Sequence, residues 1–167
     1  NNHGFVDYTV IAGPTPTPTP TPTPSACPED FTTNYPLNNA NITTPTTGFG
    51  WNTSTNATQY ELQLTTQVAN FSWYWYVQSI TSTFVTWNEI YDVYGGWQQS
   101  AGAPLPPTKT GGLSQDTYLW RVIASNSCVA GDVFYSRPDN QPDPSNGPNT
   151  PDNPTVFTYI GIPAWFK

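Results

Sequence analysis

The sequence predicts an all-β fold, and three observations carry that expectation. Runs of alternating apolar and polar residues recur along the chain, and no stretch holds its apolar residues at a convincing helical spacing. Aromatic residues make up 15% and charged residues only 9%, with Thr, Asn, Pro and Ser filling most polar positions. At 167 residues the chain is long enough for one domain with appendages and too short for two large cores.

The first strand pattern is GFVDYTVIAG, residues 4 to 13. Val6, Tyr8 and Val10 alternate with Asp7 and Thr9, and Phe5 and Ile11 extend the β-forming run. A lone strand satisfies neither its backbone groups nor its apolar face. Residues 14 to 24 alternate Pro with Thr, which favours polyproline II and removes every second backbone donor. Eleven such residues span about 34 Å at roughly 3.1 Å each, a rod more than a hinge. The chain therefore divides into an N-terminal strand (1–13), a Thr-Pro linker (14–25) and a sandwich domain (26–167).

Within the domain, TTGFGWN sets Phe49 and Trp51 on one face, and QYELQLT alternates Tyr60, Leu62 and Leu64 with Glu61 and Gln63. FSWYWYVQSI places Phe71, Trp73, Trp75 and Val77 on one face and Tyr74 and Tyr76 on the other. STFVTW follows; DTYLWRVIAS then carries Tyr118, Trp120, Val122 and Ala124 on one face, and PTVFTYIGI closes the domain. Strands this short and regular, separated by turns, predict a sandwich. Seven Trp and ten Tyr exceed what one small core encloses. Tyr74, Tyr76, Leu119 and Ile123, lying opposite the inward sets, are thus candidate interface residues, unless the long insertions fold back over them.

Net charge is −7 and the four basic residues Lys109, Arg121, Arg137 and Lys167 are scattered, which argues against nucleic acid as a partner. No apolar run approaches membrane-spanning length. The chain starts at Asn1 and contains no Met, consistent with a removed leader or a piece of a longer protein. Cys27 and Cys128 bracket most of the domain; in a secreted protein they are expected to pair, closing a loop worth about 4 to 5 kcal/mol in the chain-entropy model. Asn41, Asn52, Asn56 and Asn70 head Asn-x-Ser/Thr acceptors, Asn126 in NSC is a weaker fifth, and the linker threonines are O-glycan candidates. An extracellular or cell-surface location follows as the expectation.

Catalysis is not expected. His3, the sole histidine, sits on the terminal tail, and the best carboxylate pair is Glu89 and Asp92, flanked by Trp87, Tyr91 and Trp97. The loop 139–153 holds Asp139, Asp143 and Asp152 around DPSNG, a faint calcium-loop pattern without the closing Glu, so neither metal nor cofactor is assigned.

YPLNNANITTPTTGFGWNTSTNATQYELQL followed by GLSQDTYLWRVIAS resembles a fibronectin type III module, an immunoglobulin-like β-sandwich. The resemblance covers about residues 34 to 135 and the strand at 154 to 162. It implies that Tyr118, with Leu113, forms a tyrosine corner whose phenol caps backbone before its strand. It also implies that Cys27 and Cys128 share a pole. The segments 88–112 and 136–153 are longer than the family's connections and are expected to project as loops.

Two functional expectations result. In the first the chain is a structural subunit of an extracellular, pilus-like filament, its opening strand inserted into another copy. In the second it is a binding or spacer module of a larger surface protein, and residues 4 to 13 close a preceding domain. FVDYTVIAGP and the closing TVFTYIGIP are alike, as both readings require. The first is preferred, because a strand on a stiff spacer stays ordered only when a partner holds it. Glycans are secondary candidate partners.

Overall fold

A computed structural model describes Gly4, residues 26–126, Cys128, residues 134–136 and residues 154–160. The opening strand pattern with Phe5, Val6, Tyr8, Val10 and Ile11, the Thr-Pro linker and the Asp-bearing stretch 139–153 lie outside these residues. Among the described residues there are ten strands and one helix: β1 (Thr33–Tyr35), β2 (Ala40–Ile42), β3 (Phe49–Trp51), β4 (Gln59–Thr66), β5 (Trp75–Ile80), β6 (Phe84–Val85), α1 (Trp87–Asp92), β7 (Gln98–Gln99), β8 (Asp116–Ser125), β9 (Phe134–Tyr135) and β10 (Thr155–Tyr159). One sheet orders β1-β3-β6; the other orders β2-β10-β8-β4-β5-β7, with β9 also paired to β8. The fold is an all-β sandwich.

Period-2 alternation decides which faces meet. Phe49 and Trp51 from the small sheet bury against Leu62, Leu64, Trp75, Val77, Trp120, Val122 and Phe157 from the large one. Phe49 is the hub: its ring centroid lies 5.2 Å from Trp120, 5.9 Å from Trp97 and 6.1 Å from Phe157, tilted edge-to-face to each. At the first crossover the chain leaves the small sheet after Tyr35, passes a cis Tyr35–Pro36 bond and joins the large sheet as β2, parallel to β10. The Thr33 and Thr155 hydroxyls bond across the two sheets. The Tyr118 hydroxyl donates to the Ser114 carbonyl at 2.8 Å, above a buried Leu113. This is the corner the sequence led us to expect, and burial pushes the phenol's pKa up to about 12.

Four details depart from the sequence reading. β4 is not half-buried: Gln63 and Thr65 are as enclosed as Leu62 and Leu64, because β4 is a central strand and a cation–aromatic stack lies over its outer face. Phe71 does not share a face with Trp73 and Trp75. Asn70 and Phe71 adopt left-handed φ of 43° and 58°, which breaks the pleat and turns the Phe71 ring under the Arg121 guanidinium, 4.0 Å from its centroid. A register shift with Ser79 at φ 59° inserts one residue into β5, so the core set runs Trp75, Val77, Ile80. The segment 88–112 does not simply project: Ile90 of α1 and Trp97 beyond it are core residues.

The helix was missed because six residues show no usable period. Its signal was the capping box in TWNE: the Thr86 hydroxyl accepts from the Glu89 N–H, and the Glu89 carboxylate accepts from the Thr86 N–H. Those hydrogen bonds from Thr86 hold the Glu89 carboxyl below its usual range.

Candidate interaction surfaces

The domain is fastened where the N-terminal arm leaves it. Cys27 and Cys128 are disulfide-bonded, their Cα atoms 5.1 Å apart. Around that bond the Asn126 side-chain amide donates to Ala26 and Asn56 carbonyls at 2.8 and 2.7 Å, Asn56 donates to the Cys27 carbonyl at 3.2 Å, and the Glu29 N–H donates to Thr55. Asn126 was noted in the sequence only as a weak glycan acceptor; here it ties the arm's exit to the end of β8.

The outer face of the large sheet is more closed than the sequence implied. Arg121 lies between the Phe71 ring and the Tyr135 ring, 4.0 and 4.5 Å from their centroids, and donates through Nε to Gln63 at 2.7 Å. Gln63 and Gln78 both donate to Glu61, completing a network across β8, β4 and β5. Burial pulls the Arg121 pKa down and raises that of Tyr74. Of the four candidate interface residues, Leu119 is only 5% exposed and closed to contact, whereas Tyr74, Tyr76 and Ile123 are half-buried beside this network. The Tyr74 and Tyr76 rings meet at 5.9 Å, tilted to each other, so an aromatic strip survives at the start of β5.

Five strands have a single sheet neighbour among the described residues: β1 and β6 on the small sheet, and β2, β7 and the two-residue β9 on the large one. Three are blunted. At β6 the Phe84 carbonyl accepts from the Ser82 hydroxyl and the Thr86 N–H is held by Glu89, so the backbone is occupied. The Phe84 ring is itself structural cover, since a Cβ at Gly48 or Gly50 would come within 2.9 Å of it. β7 is two exposed glutamines, with Gln99 bonded to the Ala103 and Pro104 carbonyls. Along β1, Asn34 donates to Asn52, which donates in turn to Thr32, tying the strand to its partner β3, and the one residue it buries, Thr33, is polar and bonded to Thr155.

β2 differs. Its inward residues Ala40 and Ile42 are only half-buried although they pack on the core. A cleft of about 320 Å³ opens beside them, lined by Tyr35, Pro36, Leu37 and Thr47 among others. Leu37 is 52% and Tyr35 45% exposed, and Ile160, 49% exposed, donates its N–H to the Ile42 carbonyl at the end of the strand. Tyr35 also borders a neighbouring cleft of about 380 Å³ with Gly48, Phe84 and Trp87.

Both acids of the carboxylate pair noted in the sequence have structural partners: Glu89 caps α1, and Asp92 pairs with Lys109. Of the flanking aromatics Trp87 and Trp97 are buried, while Tyr91 is half-buried with its hydroxyl donating to the Pro107 carbonyl. Among the described residues no group of three or more His, Cys, Asp or Glu is placed to hold a metal ion, and no helix is long and apolar enough to cross a membrane. The four glycan acceptors are all exposed. Asn70 stands on the β4–β5 connection with no side-chain hydrogen bond among the described residues, whereas the amides of Asn52 and Asn56 are engaged. Comparison with protein-family models, curated proteins and solved structures finds no match for this chain.

Proposed function

We propose that the chain is a structural subunit of an extracellular filament, with a fibronectin type III-like sandwich as its body and residues 4 to 13 as a donor strand for another copy. The observation that carries this reading is the contrast between arm and body. Phe5 to Ala12 has the alternation of a half-buried strand and is followed by a stiff Thr-Pro rod. The described body draws its core from Phe31 to Phe157. The disulfide and the Asn126 and Asn56 bonds anchor the rod's base, so tension on the arm is passed to β8. Negative-stain images of the purified chain should show rods of uniform width. Monodisperse particles at every concentration would instead favour a binding or spacer module of a larger surface protein.

The same reading makes the chain a glycoprotein. Sugars on Asn41, Asn52, Asn56 and Asn70 would shield a body with few charges. Occupancy should be higher at Asn70, whose amide makes no hydrogen bond among the described residues, than at Asn56, whose amide holds the Cys27 carbonyl. Peptide mapping reads this directly, and an intact mass equal to the bare 18.4 kDa polypeptide removes it.

A further inference from the structure

We infer that the edge receiving the arm is β2, with Val6, Tyr8 and Val10 of a second copy entering the cleft bounded by Tyr35, Pro36, Leu37, Ala40 and Ile42. This rests on the filament reading and adds to it the acceptor and its occupant. Strand addition needs two things at once: a row of available backbone groups and apolar pockets for alternate side chains. β6 lacks the first, because Ser82 and Glu89 occupy its backbone. β7 lacks the second, being two exposed glutamines; β1 lacks it too, since it buries only Thr33, whose hydroxyl is bonded to Thr155, and β9 is two residues long. At β2 the large sheet ends against a cleft, and the core residues Ala40 and Ile42 are left half-covered. An added strand would complete that cover.

The position of β2 argues that the arm comes from another copy. Through β10, β2 stands level with the first residues of β8: Phe157 is opposite both Ala40 and Tyr118, and Tyr159 opposite both Ile42 and Asp116. The arm leaves the body at the other end of β8, beside Ser125 and Asn126. Seven to nine strand residues separate those levels, roughly 23 to 30 Å. The Thr-Pro rod spans about 34 Å. A spacer extended in that form along its own body would overshoot β2 by roughly 4 to 11 Å before its strand begins. Directed away, it reaches the cleft of a neighbour stacked end to end, and repetition of that contact gives an open chain.

The test uses full-length chains that keep the Cys27–Cys128 bond. Chains carrying Val10→Cys are mixed with chains carrying Leu37→Cys, allowed to assemble, oxidised and resolved on a non-reducing gel; Phe84→Cys and Gln98→Cys serve as the alternative edges. The expected result is a cross-linked pair with Leu37→Cys, several-fold more abundant than with either alternative. Pairs formed at Phe84→Cys or Gln98→Cys in preference would keep the filament reading and overturn the assignment to β2. Absence of pairs at all three positions would overturn both. In a chain carrying both Val10→Cys and Leu37→Cys, a predominantly intramolecular bond would show that the arm serves its own body. As a second measure, Leu37→Asp, at a site already half exposed, should leave the fold intact and lower polymer mass roughly tenfold or more. Unchanged polymer would count against the cleft.

Discussion

A chain lacking residues 1–13 is expected to stay folded and soluble while forming no polymer. The core of the described body runs from Phe31 to Phe157, and the disulfide at Cys27 and the Asn126 bond to Ala26 lie after the cut. Little of the body's stability should therefore be lost. The polymer contact, in contrast, would vanish with its donor. Full burial of Val6, Tyr8 and Val10 is worth about 1.5 to 3 kcal/mol per side chain, against an ordering cost of about 1 to 2 kcal/mol for each backbone residue and the cost of association. The balance turns on the strand's ladder of hydrogen bonds and on those three side chains together, so removal should be all-or-none. Sedimentation velocity should show a single slow species, and a peptide of residues 4 to 13 added to the intact chain should shorten its rods by capping acceptors. Rods of the same width from the truncated chain would refute strand donation and return the arm to the role of a preceding domain's last strand.

Phe49→Ala is expected to be the most damaging single substitution in the body, costing about 3 to 5 kcal/mol. The ring is wholly buried and touches Trp97, Trp120 and Phe157, so its loss opens a cavity that three large rings cannot close without moving both sheets. For a domain of this size the melting temperature should fall by roughly 10 to 20 °C. Differential scanning calorimetry measures it, with disulfide-intact protein on both sides of the comparison. A shift of only a few degrees would mean that the sheets collapse readily and that the core is less tightly determined than the ring contacts imply. Because β2 and its cleft lean on the same core, the variant should also polymerise poorly at temperatures where it remains folded.

The inward residues of β3, β4, β5 and β8 were legible from the sequence because a half-buried strand writes its orientation as a period of two, a strictly local signal. Phe49, Trp51, Tyr60, Leu62, Leu64, Tyr118, Trp120 and Val122 follow from it, as does the all-β sandwich. The cysteine pair was legible from composition, and the bond of Tyr118 from the resemblance to a fibronectin type III module. The period fails wherever one residue leaves the pleat. Left-handed φ at Asn70 and Phe71 sends the Phe71 ring to the Arg121 side, and the bulge at Ser79 brings Ile80 into the core one position out of step.

What tertiary structure alone decided is which strand stands at an edge and what lies beside it. Leu119 looks outward by alternation yet is buried, because burial depends on what covers a face and not on which face a residue chooses. Glu89 stands in sequence as half of the best carboxylate pair, with no catalysis expected of it, and is the cap of a helix. Leu37, in the plain stretch YPLNN, carried no signal at all. Its exposure beside the open side of β2 results from β1 crossing between sheets at Pro36 and from β10 arriving more than a hundred residues later as its partner. Strand order is set by pairings between distant segments, and a pattern read over a few neighbouring residues contains no term for them.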